Sequence, residues 1–311
     1  MAANVESMFY TREKPWHGLG IRVSEALTSK EALIKAGLDW HVVQKPLTTY
    51  DGCPVPGYFA NMRDKDGKLL GVVTDRYTVI QNEDAFAFTD GLLGAGVRYE
   101  TAGSLSEGRR VWILAKLPNE YIIRGDRISP YMVFSNSHDG SGSIKVALTP
   151  IRVVCNNTLC LALNTAQRTW STKHIGDTQE RIEDAKETLF RAEEYMDALG
   201  TEVDRLSRIA IPRQQVERNL EELLPIADNA SAQQEKNIMR QREDVMLRYK
   251  YAPDLKQLPE NGWRFVNAVS DFANHAKPLR ETGTYRENLF AKTIDANPVI
   301  DKSYHMALQA A

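Results

Sequence analysis

Seven cations, Arg98, Arg109, Arg110, Lys145, Arg152, Arg168 and Lys173, fall on or beside strand-like stretches in the middle of the chain, with Tyr99, Trp112, Tyr131 and Trp170 interleaved among them. Cations that follow a sugar-phosphate backbone, beside rings that stack on bases at about 1–3 kcal/mol each, are the elements of single-strand nucleic-acid recognition. Several of those rings must also build a core, and Trp170 joins the seven cations as the candidate contact. A second chemistry is conceivable from His17, His138-Asp139, Cys155, Asn157 and His174, which supply a thiol, bases and an amide for Cys–His hydrolysis. Cys155 would then sit at a helix N-terminus that favours the thiolate. Such a set is easily assembled from six histidines and three cysteines, and His138-Asp139-Gly140 reads more simply as a turn. No paired spacing of a zinc site and no carboxylate-rich loop is present, so no metal is expected. Gly18-Leu-Gly20 lacks the third glycine and the preceding strand of a dinucleotide fingerprint, so no cofactor is expected either.

These residues gather around Thr149-Pro-Ile-Arg-Val-Val-Cys-Asn-Asn-Thr-Leu-Cys160. Ile151, Val153 and Val154 suit a pleated, half-buried surface, and Asn157 or Thr158 would cap a helix continued by Leu159, Leu161 and Leu163. Arg152 in such a run needs a carboxylate, a carbonyl or a phosphate, since an unpaired buried charge costs about 3–5 kcal/mol.

The elements that must position this stretch are legible from spacing. Thr28 or Ser29 opens a short helix that Gly37 stops, and Trp40-His-Val-Val-Gln begins a strand. Asp66-Gly67 between two apolar runs predicts a hairpin. Asn82 caps and Gly94 stops a helix, and five further strand-like runs lead to residue 149 with turns short enough for antiparallel pairing. After Trp170 the period changes. Ile182, Ala185, Leu189, Ala192, Met196, Leu199, Val203 and Leu206 recur at three and four, a coiled-coil-like seam that packs on another helix of the same chain or of a second subunit. Pro212 breaks it, and a helix ends at Pro225. Residues 227–236 read as a polar, mobile connection; helices follow over 240–251, from Gly262, and around Leu289, Phe290 and Ile294. The fold class is therefore α+β, with an antiparallel β-rich N-terminal half, flanking helices and an all-helical C-terminal half. The domain reading is 1–175 and 176–311.

The whole chain bounds the rest. Its 311 residues are 42% hydrophobic and 26% charged, with no apolar run approaching the roughly 18 residues of a membrane helix. No secretory signal pattern opens the chain and the cysteines are few, so a cytoplasmic, membrane-free protein is expected. The net charge of −2 hides segregation: residues 98–174 carry ten Lys/Arg against five Asp/Glu, and residues 176–209 carry five against ten.

Trp16-His-Gly-Leu-Gly20, Gly37-Leu-Asp-Trp40, Leu70-Gly-Val-Val, Tyr99-Glu-Thr-Ala-Gly-Ser-Leu105, Gly108-Arg-Arg-Val-Trp112, Asn136-Ser-His-Asp-Gly-Ser141 and Thr149–Leu159 together resemble the blocks of the phage/plasmid-like protein family, domain of unknown function 932. The resemblance covers residues 8–175 and, more loosely, the helical half. It implies a gene carried by phages, plasmids or integrated elements and a protein of the bacterial cytoplasm; it brings no reaction, cofactor or catalytic residue. The residues themselves favour single-stranded DNA or RNA binding in recombination or replication, non-catalytic and oligomeric. An anti-defence or assembly protein that grips a host protein, and a Cys/His hydrolase, are the competing readings.

Overall fold

The computed structural model of the chain describes residues 5–11, 21–23, 27–93, 98–117, 119–152, 157–158, 169–176, 192–276 and 297–310. Strands β1 (Val5–Tyr10) and β2 (Ile21–Arg22) open it, paired parallel. Helix α1 (Ser29–Lys35) follows, its N-terminus closed by a capping box in which Thr28 Oγ1 accepts from the Glu31 amide and Glu31 reaches back to the Thr28 amide. Gly37, at φ 67°, takes the chain out of it. Strands β3 (Val42–Thr48), β4 (Pro54–Arg63) and β5 (Leu69–Thr74) form a three-stranded antiparallel sheet turned at Asp66-Gly67. Helix α2 (Asn82–Leu93) comes next.

The larger sheet uses β1, β2, β6 (Arg98–Leu105), β7 (Arg110–Lys116), β8 (Tyr121–Ile123), β9 (Asp126–Ser137), β10 (Ile144–Arg152), β11 (Asn157–Thr158) and β12 (Thr169–Thr172). Its order is β11-β10-β9-β7-β6-β1-β2, with β12 on β10 and β8 on β9. Apart from β1 with β2, its strand pairs among the described residues are antiparallel. Five helices then follow among the described residues: α3 (Ala192–Arg208), α4 (Arg213–Leu223), α5 (Ala232–Tyr251), α6 (Gly262–His275) and α7 (Pro298–Gln309). The fold is α+β.

Two compact units result. The first takes Met1–Asn119, Tyr131–Leu148 and Gln167–Ala192; the second takes Glu120–Pro130, Thr149–Ala166 and Glu193–Ala311. In the first, α1 and α2 pack on one face of the large sheet, and the core joins Phe9, Leu38, Trp40, Phe86, Tyr99, Ile113, Phe134 and Val146. In the second, α6 is the central element: Gly262 to Ser270 is buried on every face, flanked by α5 and α7. Met196, Leu199, Val203 and Leu206, the described part of the periodic seam, are all buried by this same chain.

Three local expectations are corrected. Asn157 and Thr158 do not cap a helix: they pair as β11 against Arg152 and Ile151. Residues 232–236 are not a mobile connection but the first turns of α5, because Ser231 and Gln234 form a second capping box. Asn82 stands at the start of α2, yet its side chain turns inward, donating to the carbonyls of Leu38 and Trp40. The helix expected around Leu289, Phe290 and Ile294, like Ile182 to Leu189, lies outside the described residues.

Candidate nucleic-acid interface

The turn that joins β9 to β10 is built by its own polar side chains. Ser137 Oγ donates to Asp139 at 2.5 Å, the Ser141 amide donates to the same carboxylate at 2.8 Å, and the Gly142 amide donates to Ser137 Oγ at 3.1 Å. Gly140 supplies the left-handed residue the turn needs, at φ 74°. Burial pushes the Asp139 carboxyl up, but hydrogen bonds from Ser137 and Ser141 outweigh it and hold the group below the usual carboxylate range. The anion thereby organises the turn.

The three-stranded sheet grips the turn from beside. Asn61 donates to the His138 carbonyl at 2.8 Å, and Tyr77 Oη donates to the Ser137 carbonyl at 2.6 Å. Gly71 of β5 lies so close that a Cβ there would meet Asp139 Cα at 2.5 Å. His138 is fully buried, its Nε2 3.0 Å from Asn82 Oδ1 and its ring edge-on to Trp40. Burial, and secondarily His174, push its pKa down to about 3, so the ring is neutral. His174 is stacked on Tyr77 at 4.5 Å, with Nδ1 3.0 Å from the Thr78 carbonyl, and burial lowers its pKa too. Both histidines thus hold the loop architecture together as neutral groups.

Beside this turn opens a cleft of about 460 Å³. One wall is Asp139 to Ser143; the other is Tyr58 and Val72 to Thr74; Tyr77, Lys173, His174 and Ile175 close it. Arg110 reaches the same turn, its guanidinium 3.3 Å from Ser141 Oγ.

The cations expected from the sequence are partly brought together. Directly opposed side chains share a face, and Ile113 and Phe134, opposite each other, point into the core with Val111, Ile144 and Val146. Arg110, opposite Ser137, and Lys145, opposite Ser171, therefore lie on the other face of the sheet, with Trp112. Arg109 and Lys173 are exposed and make no ion pair among the described residues. The rings are placed differently. Tyr99, Trp112 and Tyr131 are buried, and Trp170, half-buried, packs against the core cluster on the face opposite Lys145. Tyr99 donates to Asp90 instead. His17, Cys155 and Arg168 lie outside the described residues, as do the side chains of Arg98, Arg152 and Asn157. The sequence reading missed Tyr58, which is half-exposed at 49% and lines the cleft. Its signal was its place in a strand that alternates outward positions between two turns.

An α+β protein with a polar turn anchored between two sheets, and no helix among the described residues long and apolar enough to cross a membrane, is the class so defined. Residues 69–293 match the family model described as Domain of unknown function (DUF932), and the chain belongs to that family. The match starts at β5, takes in the anchored turn and continues through α6, ending before α7. No match was found among curated proteins or solved structures.

Proposed function

We propose that this protein binds single-stranded nucleic acid through its backbone, as a non-catalytic component of recombination or replication in a mobile element. The observation that carries the reading is that Arg110 and Lys173 both reach the turn that walls an open cleft, while Arg109, next in sequence to Arg110, is exposed and makes no ion pair among the described residues. Cations so placed match phosphate, and a half-open cleft between two rigid walls admits an extended strand more readily than a duplex. Base stacking is not assigned to Tyr99, Trp112 or Tyr131, which serve the core.

Binding of a labelled oligonucleotide across a salt series tests this. Affinity should fall as salt rises, and Arg109→Ala with Arg110→Ala should weaken it about ten-fold and flatten the logarithmic salt slope by about 1.4, some 0.7 for each phosphate no longer neutralised. Wild-type protein that binds no strand at low salt, or binds one independently of salt, refutes the reading. A Cys155→Ser variant should bind as the wild type does.

A further inference from the structure

We infer that the cleft beside the Asp139–Ser143 turn is a base-binding subsite, in which Tyr58 stacks on one base of a bound strand while Lys173 meets the adjoining phosphate. The inference rests on the single-strand reading above and adds to it the position and chemistry of one nucleotide.

Tyr58, Val72 and Ile175 are exposed by 49%, 50% and 42%, and all three line the same cleft. Large apolar side chains left open singly are ordinary, but three converging in one concavity mark a surface that a ligand covers. Tyr58 stands opposite Thr74 on the antiparallel pair β4–β5, so it is held by a regular ladder rather than by a loop. Its neighbours on the strand explain why it stays open: the other face of β4 carries the buried Asn61, which donates to the His138 carbonyl. A ring on a fixed strand, edged by Val72 and Ile175, offers a flat apolar surface of the kind bases stack on, without preference among them.

The polar side of the cleft is complementary. Lys173 is exposed and free of any ion pair among the described residues. Ser141 and Ser143 also line the cleft, and Ser141 holds the guanidinium of Arg110. Asp139 is the one carboxylate among the lining residues, and its charge is already engaged by Ser137 and Ser141 within the turn. About 460 Å³ lies within the roughly 300–1,000 Å³ of small-molecule sites and accommodates one nucleotide.

The test pairs protein variants with a chemically altered strand. A fluorescein-labelled oligothymidylate and a same-length strand carrying abasic residues are titrated into wild type, Tyr58→Ala, Tyr58→Phe and Lys173→Gln, with thermal unfolding as the control for folding. Tyr58→Ala should lose about ten-fold on the base-bearing strand and leave the salt slope unchanged, while Tyr58→Phe stays near wild type. The wild type should lose a similar factor on the abasic strand, and Tyr58→Ala should no longer distinguish the two strands. Lys173→Gln should lower the salt slope by about 0.7 on either strand. Wild type that binds both strands equally overturns the subsite even if Tyr58→Ala fails to fold. If binding and its salt dependence persist but Tyr58→Ala matches wild type, the subsite falls and the single-strand reading stands. No binding of either strand by wild type removes both.

Discussion

Both units pair cations with carboxylates, but the cations left over are used differently. In the helical unit the guanidinium of Arg264 is buried, donating to the carbonyls of Tyr249, Lys250 and Leu258 and lying 4.7 Å over the Tyr249 ring. Arg242 donates to the carbonyls of Glu221 and Leu224, and Lys302 to that of Glu222. Leu258 lies in the loop after α5 (Ala232–Tyr251); the other carbonyls are the last of α5 and those at the end of α4, groups that no helix can satisfy from within. These three cations close helix ends and a loop carbonyl, while Arg248 of the same unit pairs with Asp244 and Asp271. In the β-rich unit, by contrast, Arg109 and Lys173 stand open, and Arg110 reaches the hydroxyl of a serine. Helices leave unsatisfied carbonyls at their ends that cations can close; a sheet satisfies its carbonyls in its ladders, so its cations either pair with carboxylates, as Arg63 does with Glu6 and Asp66, or stay open as Arg109 and Lys173 do.

The sharpest way to break this contrast is Arg264→Ala. It should cost the helical unit about 3 kcal/mol, since buried carbonyls lose charged donors and the ring contact goes with them. Chemical denaturation measures the loss. The oligonucleotide salt slope of the folded variant should be unchanged; a changed slope would mean that this arginine, too, serves a ligand.

Acid should separate the units in the other direction. His138 titrates near 6.5 when unfolded and near 3 when folded, because burial disfavours the imidazolium. The unfolded state therefore binds more protons between those values. Stability is full above about pH 6.5 and falls by about 1.4 kcal/mol per unit as pH drops below it, on the order of 2 kcal/mol by pH 5. His174 acts with the same sign. His41, raised by its hydrogen bond to Glu83, acts with the opposite sign but is exposed and screened. The described histidines of the helical unit, His275 and His305, are exposed. Amide exchange at pH 5 should accordingly rise in β9 and the 138–143 turn before it rises in α6; simultaneous opening would contradict the assignment.

A pair of glycines completes the comparison, with effects of opposite sign. Gly71→Ala forces a Cβ onto the Asp139 backbone and should destabilise by about 1–3 kcal/mol. Gly200→Ala, within α3 and with nothing nearer than Ile123 at 3.8 Å, should stabilise by about 0.5–1 kcal/mol. Melting temperatures of the two variants moving the same way would show that the anchored turn yields.

Local chemistry was the legible part of this fold. Thr28 with Glu31, Gly37 and Asp66-Gly67 act through neighbours within a few residues, so their patterns announce the cap, the stop and the hairpin. Strand β1 was hidden because it lies between β2 and β6: Met8, Phe9 and Tyr10 are buried in succession, and the alternation that marks a half-exposed strand disappears. Asn82 resembled a cap because nothing local says that His138, 56 residues on, and the carbonyls of residues 38 and 40 compete for its amide. The site was half legible for the same reason. Cations are visible in any sequence, but whether a ring faces core or solvent depends on register, which buried Tyr99 and Trp112 and left Tyr58 open.

Gly71 also bears on what the cleft can accept. Where β5 meets the turn the contact is main chain against main chain, with no side chain between them to rotate aside. The gap is thus gauged by backbone, like the jaws of a fixed wrench. Substitutions along its walls change what is gripped, whereas its width changes only if a strand or the turn itself moves.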